Sequence, residues 1–227
     1  TALAELALAA FNVLRPRGRV RMGWSAGILG NGFALRRTAL EQVPYTATSV
    51  VEDLEYHLAL VDANIPVRFA DGATVRGEMP VGGAAAASQR ARWEGGRLQM
   101  LRRHGPRLAS RILRLELRFI DPLADLMLPP LAYQVALILA GLAVGLLAGG
   151  VGTAPVIGIL LLAVVLAHVI TAVPVAGLPW RRLWLLTRVP RYLVWKLRHL
   201  GGVLRGARRH ATWVRTARNA SNQGASS

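Results

Sequence analysis

The 227-residue sequence predicts an α/β soluble part followed by interfacial helices and a two-helix transmembrane hairpin. Three observations predict it. Residues 1–100 mix helical periodicity with short alternating apolar runs, residues 126–180 contain no Asp, Glu, Lys or Arg, and basic amphipathic sequence brackets that uncharged block.

The charge distribution narrows the function classes. Residues 1–125 hold 17 Lys+Arg and all 12 Asp+Glu, whereas residues 181–227 hold 11 Lys+Arg and no acid. A nucleic-acid-binding chain has no use for a 55-residue uncharged block, so nucleic acid is not an expected partner. There is no cysteine, which excludes disulfides, thiol catalysis and thiolate metal sites. The sequence starts at Thr1 without a signal peptide, and a processed or truncated N-terminus is the expectation.

Elements follow in order. TALAELALAAFNVL predicts a helix ending by Arg15, ahead of Pro16. WSAGILGNGFALRR alternates enough for two short strands around Gly30-Asn31-Gly32. TATSVVEDLEYHLALVDAN predicts a helix with Ser49 and Glu52 as a capping box and Leu54, Leu58 and Val61 facing inward. IPVRFA, a DG turn and ATVRGEM predict a further strand pair. Residues 1–100 thus form the soluble domain, and 101–125 an amphipathic helix with Leu108, Ile112, Leu115 and Phe119 on one face. Arg107, Arg111, Arg114 and Arg118 form the adjacent stripe, which suits an anionic headgroup region; a core helix of the soluble part would show the same stripe.

The hairpin occupies 126–176, because a span needs about 20 apolar residues and 126–148 and 154–176 each supply them. Arginines crowd both outer ends and the GGVGT turn is uncharged, so both ends are expected at the cytoplasmic face of a bacterial-type inner membrane. His168 in the second span is either a polar relay or a helix-packing residue. Residues 177–218 read as a basic interfacial tail carrying Trp180, Trp184, Tyr192 and Trp195, and 219–227 as a disordered end.

Three groups of residues are candidates for chemistry. Asp53 lies in the first turn of its helix, where a carboxylate complements the dipole or serves as a general base; Glu52 beside it is explained by the cap. Gly30-Asn31-Gly32 is either a hairpin turn tolerating positive φ or bare backbone open to a sugar or phosphate. Gln89, Arg92 and Trp93 share one helical face: the indole can stack on a sugar ring, the guanidinium can grip a diphosphate, and the amide can hydrogen-bond. A surface Gln and Arg beside an interfacial Trp is the ordinary alternative.

In order, GNG (30–32), ED (52–53), QxxRW (89–93), an amphipathic helix and a membrane hairpin resemble the membrane-bound family 2 glycosyltransferases, the group containing cellulose, hyaluronan and poly-N-acetylglucosamine synthases. The resemblance covers essentially the whole chain, including WKLRHL and WVRTAR. It implies a GT-A type domain, of which this chain is the C-terminal part, with Asp53 as the base for the acceptor hydroxyl. It implies substrate contacts from Gly30, Asn31, Gly32, Glu52, Gln89, Arg92 and Trp93, a nucleotide-sugar donor, a glycan or lipid-linked acceptor, and membrane lipid. Val51 stands where the family often has Thr. Family members also carry a DxD metal motif, and these residues contain none, so Mg²⁺ or Mn²⁺ is expected in the complete protein with ligands outside this chain. The rival from another class is a non-enzymatic membrane scaffold whose basic surface binds lipid or an acidic partner.

Overall fold

The computed structural model describes residues 2–75, 83–150 and 152–206. The chain divides into two compact units, Thr1–Gly23 with Met127–Arg198, and Trp24–Leu126 with His199–Ser227.

In the first unit, α1 (Ala2–Ala9), a π-helical turn (Ala10–Leu14) and α2 (Arg15–Arg21) form one continuous run. The helix therefore does not end before Pro16, as expected from sequence. The widened turn just ahead of Pro16 relieves the clash a proline ring makes with the carbonyl four residues earlier, and the missing N–H falls where the hydrogen-bond pattern changes. Leu6 packs with Val173 and Leu185, and Ala9 and Ala10 pack against Ala172. Arg17 donates from Nη1 to the Val175 carbonyl, 2.5 Å, placing a cation on the C-terminal carbonyls of a helix.

That helix is α8 (Thr153–Val175), preceded by α7 (Leu131–Gly149); both are long and apolar enough to cross a membrane. The turn between them uses Gly150 at φ +65°. Small residues bring the pair together: a Cβ on Gly145 would lie 3.2 Å from Ala154 and Pro155, and one on Gly158 3.3 Å from Leu142. Their outward faces are apolar, with Leu137, Val144, Leu147, Ile159 and Val164 all exposed. A 3₁₀ segment (Trp180–Arg188) and α9 (Val189–Arg198) complete the unit. Arg182 pairs with Glu5 at 3.1 Å, and Lys196, buried, lies 4.9 Å from the Tyr133 ring centre.

The second unit holds α3 (Arg37–Gln42), α4 (Glu52–Asp62), α5 (Gly83–Leu113), a 3₁₀ turn (Leu117–Phe119), α6 (Ile120–Met127) and α10 (Leu200–Gly206). No strand forms among the described residues, so the α/β expectation is corrected there to a helical architecture. Segments 24–29 and 65–70 do meet: Ala26 donates to the Val67 carbonyl at 2.9 Å. The Val67 amide, however, donates to the Ser25 hydroxyl at 3.0 Å, and Gly23 and Gly27 turn at φ +78° and +90°. A side chain has taken a ladder position, and Gly27 at a left-handed φ interrupts the extended run. The expected strand 73–79 lies largely outside the described residues, as do 207–227, which include WVRTAR and the expected disordered end.

The core joins Val51, Leu58 and Val61 to Met100, Leu108, Phe119 and Leu126. α5 is longer than the spacing predicts, carrying QxxRW with Arg107 and Arg111 on one helix and Pro106 inside it, while Arg114 and Arg118 of the expected stripe lie beyond its end. It stops at Leu113, and Leu115 takes φ +65° with its side chain exposed, so Leu115 leaves the face that Leu108 and Ile112 share. α10, expected within the basic tail, packs instead on α5: a Cβ on Gly202 would lie 3.7 Å from Ala91.

α5 comes close to the start of α4 at Gly96, where an added Cβ would meet Cγ1 of the N-cap Val51 at 2.7 Å. The β-branched Val51 has little rotamer freedom to retreat. Gly96→Val is expected to destabilise the protein by about 1–3 kcal/mol, seen as a lower thermal unfolding midpoint in detergent. Val51→Ala in the same chain should recover most of that loss; no recovery would mean that the two residues do not oppose each other.

Candidate active site

The start of α4 is built differently from the expected capping box. Val51 is the N-cap and makes no side-chain cap hydrogen bond, so Ser49 and Glu52 do not form the reciprocal pair, and Glu52 is exposed. Glu55, one turn on, does the tethering. Its Oε2 accepts the amides of Ser49 (3.0 Å) and Thr48 (3.2 Å), and Oε1 lies 3.8 Å from Arg103 of α5. Asp62 pairs with Arg107 at 2.9 Å, so two ion pairs advance in the same sense along α4 and α5. Burial by itself pushes the Glu55 carboxyl up, but the amides of Ser49 and Thr48 and the Arg103 charge outweigh it and hold the group below its ordinary value.

Asp53 is half-buried at the second position of α4. Its Oδ2 accepts the Gly30 amide at 2.8 Å and its Oδ1 accepts the Leu54 amide at 2.8 Å. A carboxylate has about four acceptor positions, so these bonds fix its orientation while leaving capacity for a substrate proton. The structure thus brings together the GNG and ED segments, which lie 23 residues apart. The expected reason for the glycines needs correction. Neither Gly30 nor Asn31 nor Gly32 has a left-handed φ, and no hairpin forms; Gly32 donates to the Leu29 carbonyl at 3.1 Å in a tight turn. Gly30 makes a close approach instead: a Cβ there would lie 3.0 Å from Asp53 Oδ2 and press on the carboxylate. A second tether holds the same segment: Ser25 Oγ and Nε2 of the buried His57, one turn beyond Asp53, are 2.8 Å apart.

Gln89, Arg92 and Trp93 lie on α5 with the spacing expected, and the structure adds the rest of their face. At about 100° per residue, Gly96 and Met100 fall on the same side as Gln89, Arg92 and Trp93. Gly96 touches Val51 and Met100 packs in the core with it, so this face of α5 is the one turned to the start of α4. Gln89 and Arg92 are half-buried and Trp93 is 44% exposed, an indole presented rather than buried. One turn on, Arg97 pairs with the buried Asp125 at 2.8 Å and also reaches its carbonyl, tying α5 to α6. Among the described residues no three His, Asp or Glu side chains gather as metal ligands.

Sequence reasoning missed Glu55, His57 with Ser25, and Gly96. Glu55 was detectable as a third first-turn acid after Glu52 and Asp53; Gly96 was visible only as i+3 from Trp93.

The structure thus shows a carboxylate fixed by backbone amides, a helix face carrying Gln, Arg and an open Trp turned towards the start of α4, and two apolar helices. The family model for glycosyl transferase family group 2 matches residues 17–206, from α2 to α10, and the chain belongs to that family. No curated protein and no solved structure matches it.

Loss of the Glu55 tether sets an acid limit. Because its folded value is depressed, the stabilisation is present above its ordinary value of 4.5 and is lost as pH falls through the lower folded value. Wild type should therefore lose more of its thermal midpoint than Glu55→Gln as pH is lowered from 5 towards 3. Parallel curves for the two proteins would show that the tether contributes nothing.

Proposed function

We propose that the chain is the acceptor-side and membrane-anchoring part of an inverting glycosyltransferase. It moves a sugar from a nucleotide-sugar donor to a glycan or lipid-linked acceptor in polysaccharide synthesis, as the cellulose and hyaluronan synthases do. The observation that carries this reading is the Gly30 amide on the Asp53 carboxylate, which links two of the three segments on which the family resemblance rests.

In the proposed reaction Asp53 accepts the acceptor hydroxyl proton through a free carboxylate position. The oxygen attacks the anomeric carbon from the face opposite the donor's phosphate, and that C–O bond breaks with its electron pair leaving on the diphosphate. Arg92 pairs with the departing diphosphate, Gln89 hydrogen-bonds, and Trp93 stacks under the acceptor ring, a positioning that proximity makes worth several orders of magnitude. A divalent cation, Mg²⁺ or Mn²⁺, belongs to this reading with ligands outside the chain; among the described residues no three His, Asp or Glu side chains gather to hold one. The GT-A type fold is part of the same proposal, its strands supplied by sequence outside the described residues.

The membrane placement is also proposed. The exposed apolar faces of α7 and α8 suit lipid, and the arginines outside both ends favour a cytoplasmic catalytic face in a bacterial-type inner membrane. Leu113, Leu115 and Leu117, exposed between Arg111 and Arg118, add an apolar tip flanked by cations.

The test is sugar transfer in membranes from cells expressing the gene, with labelled UDP- and GDP-sugars. Asp53→Asn is expected to lower the rate about 10²–10⁴-fold with membrane association intact. Gly30→Ala should also lower it, by displacing the carboxylate, while leaving the thermal midpoint near wild type. Transfer undiminished in Asp53→Asn would remove Asp53 as the base.

A further inference from the structure

Phe33 and Tyr45 are 44% and 40% exposed, with ring centres 6.1 Å apart and planes inclined by 32°. An exposed aromatic pair of this kind is usually covered, because its faces are large apolar surfaces. Here it is held open. Tyr45 is backed by the edge of Tyr56, ring centres 4.8 Å apart, and Tyr56 is fully buried with its hydroxyl donating to the Val43 carbonyl at 2.7 Å. Tyr56 sits three residues after Asp53 on α4, and Phe33 three residues after Gly30, whose amide holds Asp53. Both ends of the aromatic pair are therefore fixed to the two groups that meet at the carboxylate.

The geometry points to Phe33 and Tyr45 as a sugar-binding platform beside Asp53, taking the face of an uncharged pyranose ring of the acceptor other than the reacting ring that Trp93 stacks under. The inference rests on the reading of Asp53 as the acceptor-side base and names a specificity surface for it. The surrounding charge selects the occupant. Burial first, and then the carboxylates of Glu52, Asp53 and Glu55, raise the Tyr45 phenol above its ordinary value. Three anions around the platform repel a nucleoside diphosphate, whereas carboxylates accept hydrogen bonds from sugar hydroxyls while the C–H face of the ring lies on the aromatic surface.

The experiment is saturation-transfer difference NMR on the full chain in lipid nanodiscs, with cellobiose and N,N′-diacetylchitobiose as probes. Wild type is expected to give signal on the ring protons of at least one disaccharide. Phe33→Ala and Tyr45→Ala should lose it, Tyr45→Phe should keep it, and Trp184→Ala, which removes an exposed aromatic of the other unit, should keep it too. UDP should not compete. Signal unchanged in both alanine variants, no signal from either disaccharide with wild type, or displacement by UDP would each overturn the platform. The two readings separate cleanly. Transfer that needs Asp53 alongside sugar contact indifferent to Phe33 and Tyr45 removes the platform alone. Sugar contact that needs the aromatic pair, with transfer undiminished in Asp53→Asn, removes the base and leaves the platform.

Discussion

A carboxylate in the first turn of α4 faces two opposed demands. In the proposed reaction it must be held firmly enough to point one way and stay open enough to take a proton. Backbone amides meet both, because they orient the oxygens without neutralising them as a guanidinium would. Holding Asp53 with the Gly30 amide requires that the 25–32 segment and α4 keep their register, and the rest of the unit is arranged to that end. Ser25 on His57 fixes the segment one turn further along α4, Glu55 fixes the loop entering the helix, and Val51 seats α4 on Gly96. None of these contacts is strong by itself. Each removes one direction in which the carboxylate could drift.

The apolar helices were legible from composition, since a 55-residue stretch without Asp, Glu, Lys or Arg leaves few alternatives. Gln89, Arg92 and Trp93 were legible as a shared face because helical spacing alone determines it. The strands were not. Alternation in WSAGIL describes which residues point inward, and Ala26 and Ile28 are indeed buried. It does not reveal that the Ser25 hydroxyl takes an amide from the ladder. The capping box failed for a related reason: Ser49 and Glu52 have the right spacing, but the helix starts later and the amides go to Glu55. Local patterns report periodicity well and report badly which of several nearby acceptors captures a given N–H.

The two apolar helices use a different principle. With apolar residues on every side, burial cannot specify how α7 and α8 meet, and close approach at Gly145 and Gly158 does so instead. Polar groups appear where the apolar sequence ends, as with Arg17 on the Val175 carbonyl. The unit thus separates adhesion, which is unspecific, from alignment, which a few small residues and one cation provide.

The continuity of α5 makes the spacing between its parts a matter of angle as well as length. A single inserted or deleted residue between Trp93 and Met100 would turn the indole by about 100° relative to the core, carrying it to a side of the helix that never meets α4. Losing or gaining seven residues would nearly restore the direction but shift it by about 10 Å along the axis. This stretch therefore tolerates substitution far better than any change in its length. Length variation among proteins built on this plan should collect outside it, in connections such as the turn after Leu113.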